Sequence, residues 1–170
     1  MDELRNLIEA SQKNELKNDV LDALEYLAKK NIKENLFTLK EIFFNPLTHH
    51  EIRLGTGKIM ARIKDPIVYN FLLSHLILRN FSDLEAIVYV LGEYKNPEIF
   101  NFLVREYPTS SFDVKIEIIE ALSKIQSVKS IEFFSKVFNE EISESKLNNL
   151  QVQEIKQKAS NALQKMVIDI

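Results

Sequence analysis

The chain repeats itself at a fixed interval. A shift of 31 residues lays Pro66 on Pro97, Tyr69 on Phe100, Phe71 on Phe102 and Leu72 on Leu103. The same shift again carries Leu91 to Leu122, Tyr94 to Ile125, Phe102 to Phe133 and Leu103 to Phe134. Upstream, a shift of about 33 puts Leu36, Leu39 and Phe43 under Tyr69, Leu72 and Leu76, and downstream Ala162, Leu163 and Met166 match Ala121, Leu122 and Ile125. A period in the low thirties with helical spacing inside each copy points to stacked helix pairs, because one pair cannot bury its apolar face alone.

Each copy has the same local grammar. Lys64-Asp65-Pro66 and Lys95-Asn96-Pro97 each place a side-chain cap before a proline, which stands at the first helical position where a missing N–H costs nothing. Ser82 is the expected N-cap before Leu84, Ile87, Val88, Leu91 and Tyr94, which follow the i, i+3, i+4, i+7 template. The expected helices run near 2–12, 18–31, 33–44, 50–64, 66–79, 82–94, 97–107, 112–125, 128–140 and 150–168. They form one domain over 1–170: an N-terminal cap at 1–16, repeats near 17–48, 49–81, 82–111 and 112–149, and a C-terminal helix at 150–170. Asn45-Pro46, Tyr107-Pro108 and the polar run from Glu140 to Asn149 are the expected breaks.

The repeat resembles the HEAT family, in particular its short prokaryotic type. The resemblance rests on Glu51-Ile52-Arg53 opening a helix that ends Arg62-Ile63-Lys64-Asp65-Pro66, on Val90-Leu91-Gly92 with Asn96-Pro97, and on Asp113-Val114-Lys115 with Glu120-Ala121-Leu122. It implies an all-α fold, an α-α superhelix or right-handed solenoid of about four to five helix pairs with capping helices at both ends. It also implies a non-catalytic scaffold or adaptor. The Gly55-Thr56-Gly57 stretch departs from the family pattern, and the larger period and Trp of tetratricopeptide repeats are missing.

Composition narrows the chemistry. The chain has no Cys, so it has no disulfide framework, thiol nucleophile or thiolate zinc site. Its net charge is −3, whereas neutralising phosphates drives nucleic-acid binding, so nucleic acid is a disfavoured partner. Charge is nonetheless uneven: residues 49–80 carry five basic and two acidic side chains, and residues 81–111 two basic and five acidic. The apolar run Tyr69 to Leu78 is too short for a bilayer and the N-terminus lacks a secretory pattern, so a soluble, cytoplasmic protein with no membrane contact is expected.

Three motifs invite a chemical reading. Gly55-Thr56-Gly57-Lys58 contains Gly-Lys, but a phosphate loop needs Gly where Ile52 stands and Ser or Thr where Ile59 stands. The glycines are better explained by close approach of a neighbouring helix. His49 and His50 are adjacent, so their side chains diverge and cannot share a metal as an i, i+4 pair does; a turn entering a helix is their expected role, and His75 lies one helix on. The aromatics Tyr69, Phe71, Phe100, Phe102, Phe133 and Phe134 recur at core spacing and are expected between repeats. No catalytic residue, metal site or cofactor is expected.

A protein partner is the expected ligand. In a solenoid of this kind the second helix of each pair lines the concave surface, which would carry one ridge of Asn70, Asn101 and Glu132 and another of Ser74, Arg105 and Lys136. A second candidate surface is a basic patch on the outer face, Arg53 with the i, i+4 pair Lys58 and Arg62, which could meet an acidic protein or weakly bind nucleic acid. The resemblance also leaves open an accessory role beside an enzyme, as in HEAT-like bilin lyase subunits. Leu4, Leu7 and Ile8, inward of Asp2, Glu3 and Glu9, form the expected first cap; Leu150, Ile155, Ala159, Leu163 and Met166, against Lys156, Lys158 and Lys165, form the last. With both ends closed, a monomer is expected.

Overall fold

The computed structural model describes residues 2–30, 32–78, 81–139 and 147–168, with side chains throughout except at 2–5, 14, 32–34, 167 and 168. Ten α-helices occupy these residues: α1 (Asp2–Ala10), α2 (Lys17–Lys30), α3 (Ile32–Phe44), α4 (His50–Ile63), α5 (Pro66–Leu78), α6 (Leu84–Tyr94), α7 (Phe100–Glu106), α8 (Phe112–Ile125), α9 (Val128–Asn139) and α10 (Asn149–Ile168). Three short 3₁₀ turns, Asn14–Leu16, Pro97–Ile99 and Tyr107–Thr109, complete the described secondary structure. The expected helices are present, with boundaries shifted by one or two residues and Pro97–Ile99 wound as 3₁₀ before α7 begins. Of the break expected at Glu140 to Asn149, residues 140–146 lie outside the described residues, as do the side chains of Leu4, Asp2 and Glu3 in the expected first cap.

The chain divides into two compact units, residues 1–94 and 95–170. In the first, α4 packs against α2, α3 and α6, while α5 packs against α6 and α1 against α2 and α3. The first helices of successive pairs therefore form a row α2–α4–α6, and each second helix leans on the first helix of the next pair. In the second unit α8 packs against α7 and α9, and α10 against α8 and α9. Such nearest-neighbour packing is what the 31-residue interval predicts.

The repeat is visible in backbone geometry. The non-glycine residues with positive φ among the described residues are Lys64 (51°), Lys95 (54°) and Gln126 (51°), spaced at the sequence interval. Each ends the first helix of a pair. The following residue caps the second: Asp65 Oδ1 accepts from the Ile67 N–H at 2.8 Å, Asn96 Oδ1 from the Glu98 N–H at 3.0 Å, and Ser127 Oγ from the Lys129 N–H at 3.3 Å. The third elbow keeps this form although Val128 replaces the proline. Equivalent core positions follow: Met60, Leu91 and Leu122 are fully buried, as are Leu72, Leu103 and Phe134. Burying each such side chain contributes about 1.5–3 kcal/mol.

The glycines act as the sequence suggested. A Cβ on Gly55 would stand 2.5 Å from Leu21 Cδ2 of α2, and one on Gly57 would stand 2.2 Å from Val90 Cγ2 of α6 and 2.9 Å from the Phe43 ring of α3. Helix α4 can sit at the centre of the first unit because its surface is bare at those two positions.

The α6 cap differs from expectation. Asp83, not Ser82, accepts the Ala86 N–H, through Oδ1 at 3.1 Å, and Ser82 lies exposed beside it. Ser and Asp cap about equally well, but only the carboxylate can also pair with a buried cation of α4. In the closing helix Ile155, Ala159 and Met166 are buried as expected, whereas Leu150 is exposed at the first turn.

Candidate functional site

Arg53 is the buried cation that Asp83 meets. It was grouped with Lys58 and Arg62, but five residues correspond to about 140° around a helix, so it points to the opposite side of α4. It is 6% exposed. Its Nε donates to Phe43 O at 3.0 Å, Nη2 to Asn45 O at 2.9 Å and Nη1 to Asp83 Oδ2 at 2.6 Å, while the guanidinium lies over the Phe81 ring. Every arm of the guanidinium thus ties α4 to the end of α3, the loop after it, or the start of α6. Arg53 is removed from the basic patch by this burial.

His50 closes the same cluster. Its Nδ1 is 3.0 Å from Asp83 Oδ2 and its Nε2 is 3.5 Å from Glu85 Oε1. Burial works against ionisation of Asp83, but hydrogen bonds from His50, the Ala86 N–H and Arg53 outweigh it and hold the carboxyl below its ordinary range. His50, Asp83 and Glu85 bring ligand-type atoms within 4.8 Å of one another, a spacing a metal ion could use. The donor set does not suit one: Asp83 Oδ1 is committed to the α6 N–H, and Oδ2 already faces a buried guanidinium whose fixed charge repels a second cation. The cluster is an interhelical clamp. His49 precedes it as the backbone cap of α4, with no side-chain capping bond, and its N–H donates to Ser11 O at 2.9 Å, tying in the end of α1.

Lys58 and Arg62 are exposed on the other side of α4. Arg62 Nη1 bonds Glu25 Oε1 of α2 at 3.0 Å, across an open groove of about 190 Å³ lined by Glu25, Ala28, Lys29, Ile59, Arg62 and Ile63. Of the two remaining patch cations, Arg62 is thus already paired.

The second helices of the first unit carry a different surface. Phe71 was expected in the core with Tyr69; Tyr69 is buried, but Phe71 is 40% exposed. Its ring packs edge-on against Phe44 of α3 at 4.9 Å, beside His75 at 4.5 Å, with Lys40 Nζ 5.1 Å above it. A carbonyl only accepts, so the His75 Nδ1 contact with Phe71 O at 3.0 Å places the hydrogen on Nδ1. Around Phe71 stand exposed Ile67 (67%) and Leu78 (66%) on α5, and α3 exposes Phe37 (62%). In the second unit, Phe100 and Phe102 are half-buried where full burial was expected, whereas Phe133 and Phe134 are buried.

The ridge residues fall as follows. Asn70 is exposed and Ser74 half-exposed on α5, with Ser74 Oγ donating to Phe71 O at 2.7 Å. In the second unit Asn101 and Arg105 on α7 and Glu132 and Lys136 on α9 are all exposed, and Arg105 lies over the Phe102 ring. Asn70 and Ser74 flank or interrupt an apolar stripe; the sequence reading saw the polar positions and missed the stripe between them. Its signal was α5 itself, which from Pro66 to Leu78 has no Asp, Glu, Lys or Arg on any face.

The class these features define is an all-helical protein of paired, capped helices. No protein-family model matches the chain, and no curated protein matches it in sequence. Among the described residues no helix is long and apolar enough to cross a membrane.

Proposed function

We propose that this chain is a non-catalytic scaffold of HEAT-like helix pairs, stacked as a solenoid, that binds a protein partner on the face formed by its second helices. The observation that carries the reading is α5: a helix without Asp, Glu, Lys or Arg, and with Asn70, Ser74 and His75 as its polar residues, is largely the composition of an interior helix, yet Ile67, Phe71 and Leu78 remain exposed. Apolar patches of more than a few hundred Å² mark interaction sites on soluble proteins. The neighbouring Asn70 and Ser74 supply polar positions at the edge of such a contact. The clustered ionisable groups support the same reading, since Arg53, Asp83 and His50 are spent on holding helices together.

The test is affinity capture with tagged wild type and tagged Phe71→Glu, each with and without added nuclease, after circular dichroism has established equal helicity. A stoichiometric protein held by wild type and lost from the variant is expected. An unchanged protein set, or recovery of nucleic acid alone, would overturn the proposal. Arg105→Glu with Lys136→Glu tests whether the second unit shares in the contact.

A further inference from the structure

Helices α2 and α4 meet as a ladder. Lys17 bonds Glu51 near one end, Leu21 covers Gly55 on the next rung, and Glu25 bonds Arg62 toward the other end. Beyond the Leu21 rung the contact opens into the groove of about 190 Å³, whose apolar lining is Ala28, Ile59 and Ile63. Its origin is local: Ala28 offers only a methyl group on the α2 side, so the isoleucines of α4 are left without a full partner.

The charge around the groove does not balance. Glu25 is the carboxylate of the lining, and it serves two cations, Arg62 Nη1 at 3.0 Å and Lys29 Nζ at 3.8 Å. Arg62 reaches Glu25 through Nη1, and its Nε and Nη2 have no bond among the described residues. Lys58, one turn before Arg62 on the same exposed side of α4, has no ion pair among the described residues.

We infer that this groove docks an acidic segment of a protein partner, with one large apolar side chain entering between Ala28, Ile59 and Ile63 and flanking carboxylates meeting Arg62, Lys29 and Lys58. The volume is below the roughly 300–1,000 Å³ of small-molecule sites and suits a single anchoring side chain. The rim selects the flanks: the open Nε–Nη2 edge of Arg62 matches the two oxygens of a carboxylate. An apolar lining does nothing for a phosphate polymer, whose affinity comes from neutralised charge, and a chain of net charge −3 repels one. Every lining residue belongs to a first helix of a pair, so this contact is separate from the second-helix face and does not depend on it.

The probe is a random-peptide display library, which presents every anchor and every charge, selected on the wild-type chain at low salt. Enriched peptides are expected to carry Leu, Ile, Met or Phe beside Asp or Glu. A dye-labelled peptide of that consensus is expected to bind about tenfold or more weakly to Ala28→Leu, which fills the groove without changing charge, and to Arg62→Glu, which reverses the rim. Circular dichroism establishes wild-type helicity for each. Arg62→Glu and Lys58→Glu alter only exposed side chains, so they remain readable should Ala28→Leu unfold the chain. Affinity is also expected to fall several-fold between about 50 and about 300 mM salt. No enriched family, a family without acidic residues, or a consensus that binds the variants as it binds wild type overturns the inference. So does binding of a labelled oligonucleotide in place of any peptide. Phe71→Glu is expected to bind the consensus as wild type does; peptides lost with Phe71→Glu and kept by Ala28→Leu and Arg62→Glu place the contact on α5 and overturn this groove while leaving that face standing.

Discussion

Arg53 Nη1 donates to Asp83 Oδ2 at 2.6 Å, joining α4 to the capping residue of α6 across thirty residues of sequence, and both side chains are withdrawn from water. Removing one partner of such a pair leaves an uncompensated buried charge. Asp83→Asn keeps a capping side chain but loses the ion pair, and is expected to lower unfolding free energy by about 3–5 kcal/mol. Urea denaturation measures it. Arg53→Met in the same chain is expected to recover part of the loss, because the orphaned cation is gone.

Acid should reveal the same clamp. The folded-state pKa of Asp83 is depressed below its ordinary 3.8. A depressed carboxylate contributes stability that is full above the unfolded value and is lost as pH falls through the folded one. The stability of wild type relative to Asp83→Asn is therefore expected to be constant at neutral pH and to shrink below about pH 4. A difference that stays constant down to the folded pKa would show that the carboxylate is not held ionised. Glu51 is also depressed, through Lys17, but stands in open solvent and adds no comparable acid sensitivity.

The two glycines of α4 should respond differently to alanine. At Gly57 the new methyl meets Val90, a stiff β-branched side chain in the core, and the expected loss is about 1–3 kcal/mol. At Gly55 it meets only the end of Leu21, a half-buried side chain able to swing away. There the gain in helix propensity, about 1 kcal/mol, offsets the adjustment, and Gly55→Ala is expected to be neutral or stabilising. Thermal unfolding of the two variants side by side distinguishes them.

Lys64, Lys95 and Gln126 each hold a left-handed conformation that costs an L-residue roughly 1–2 kcal/mol. Glycine has no such cost but gains freedom when unfolded. Lys64→Gly, Lys95→Gly and Gln126→Gly are each expected to raise stability by up to about 1 kcal/mol. Arg62→Gly, inside the helix and two residues from the first elbow, is expected to lower it by a similar amount. Chemical denaturation of the four variants tests the contrast.

What the sequence displayed and what it hid divide along a physical line. Elbows, caps and helix limits are local, and Asp65-Pro66 and Asn96-Pro97 announce them within a few residues. Arg53 and Asp83 find each other only after folding. The wheel position of Arg53, in register with Gly57 and Met60, was nevertheless a clue that it faces inward, and the adjacency of Ser82 and Asp83 hid which of them caps α6. Phe71 occupies a core register in the alignment but sits at the edge of α5 turned toward solvent, because a repeat specifies which residues are equivalent and not how many neighbours each copy has. The exposed α5 stripe went unread for a related reason: its inward and outward apolar positions are superimposed in one string without Asp, Glu, Lys or Arg.

The three elbows have a bearing on how such a chain changes length. Because Lys64, Lys95 and Gln126 share one conformation and are each followed by a capping side chain, a cut at one elbow joined to a cut at another recreates the same junction. What lies between two elbows is therefore a cassette, removable or duplicable without inventing a new turn, and the size of this protein is set in steps of one helix pair.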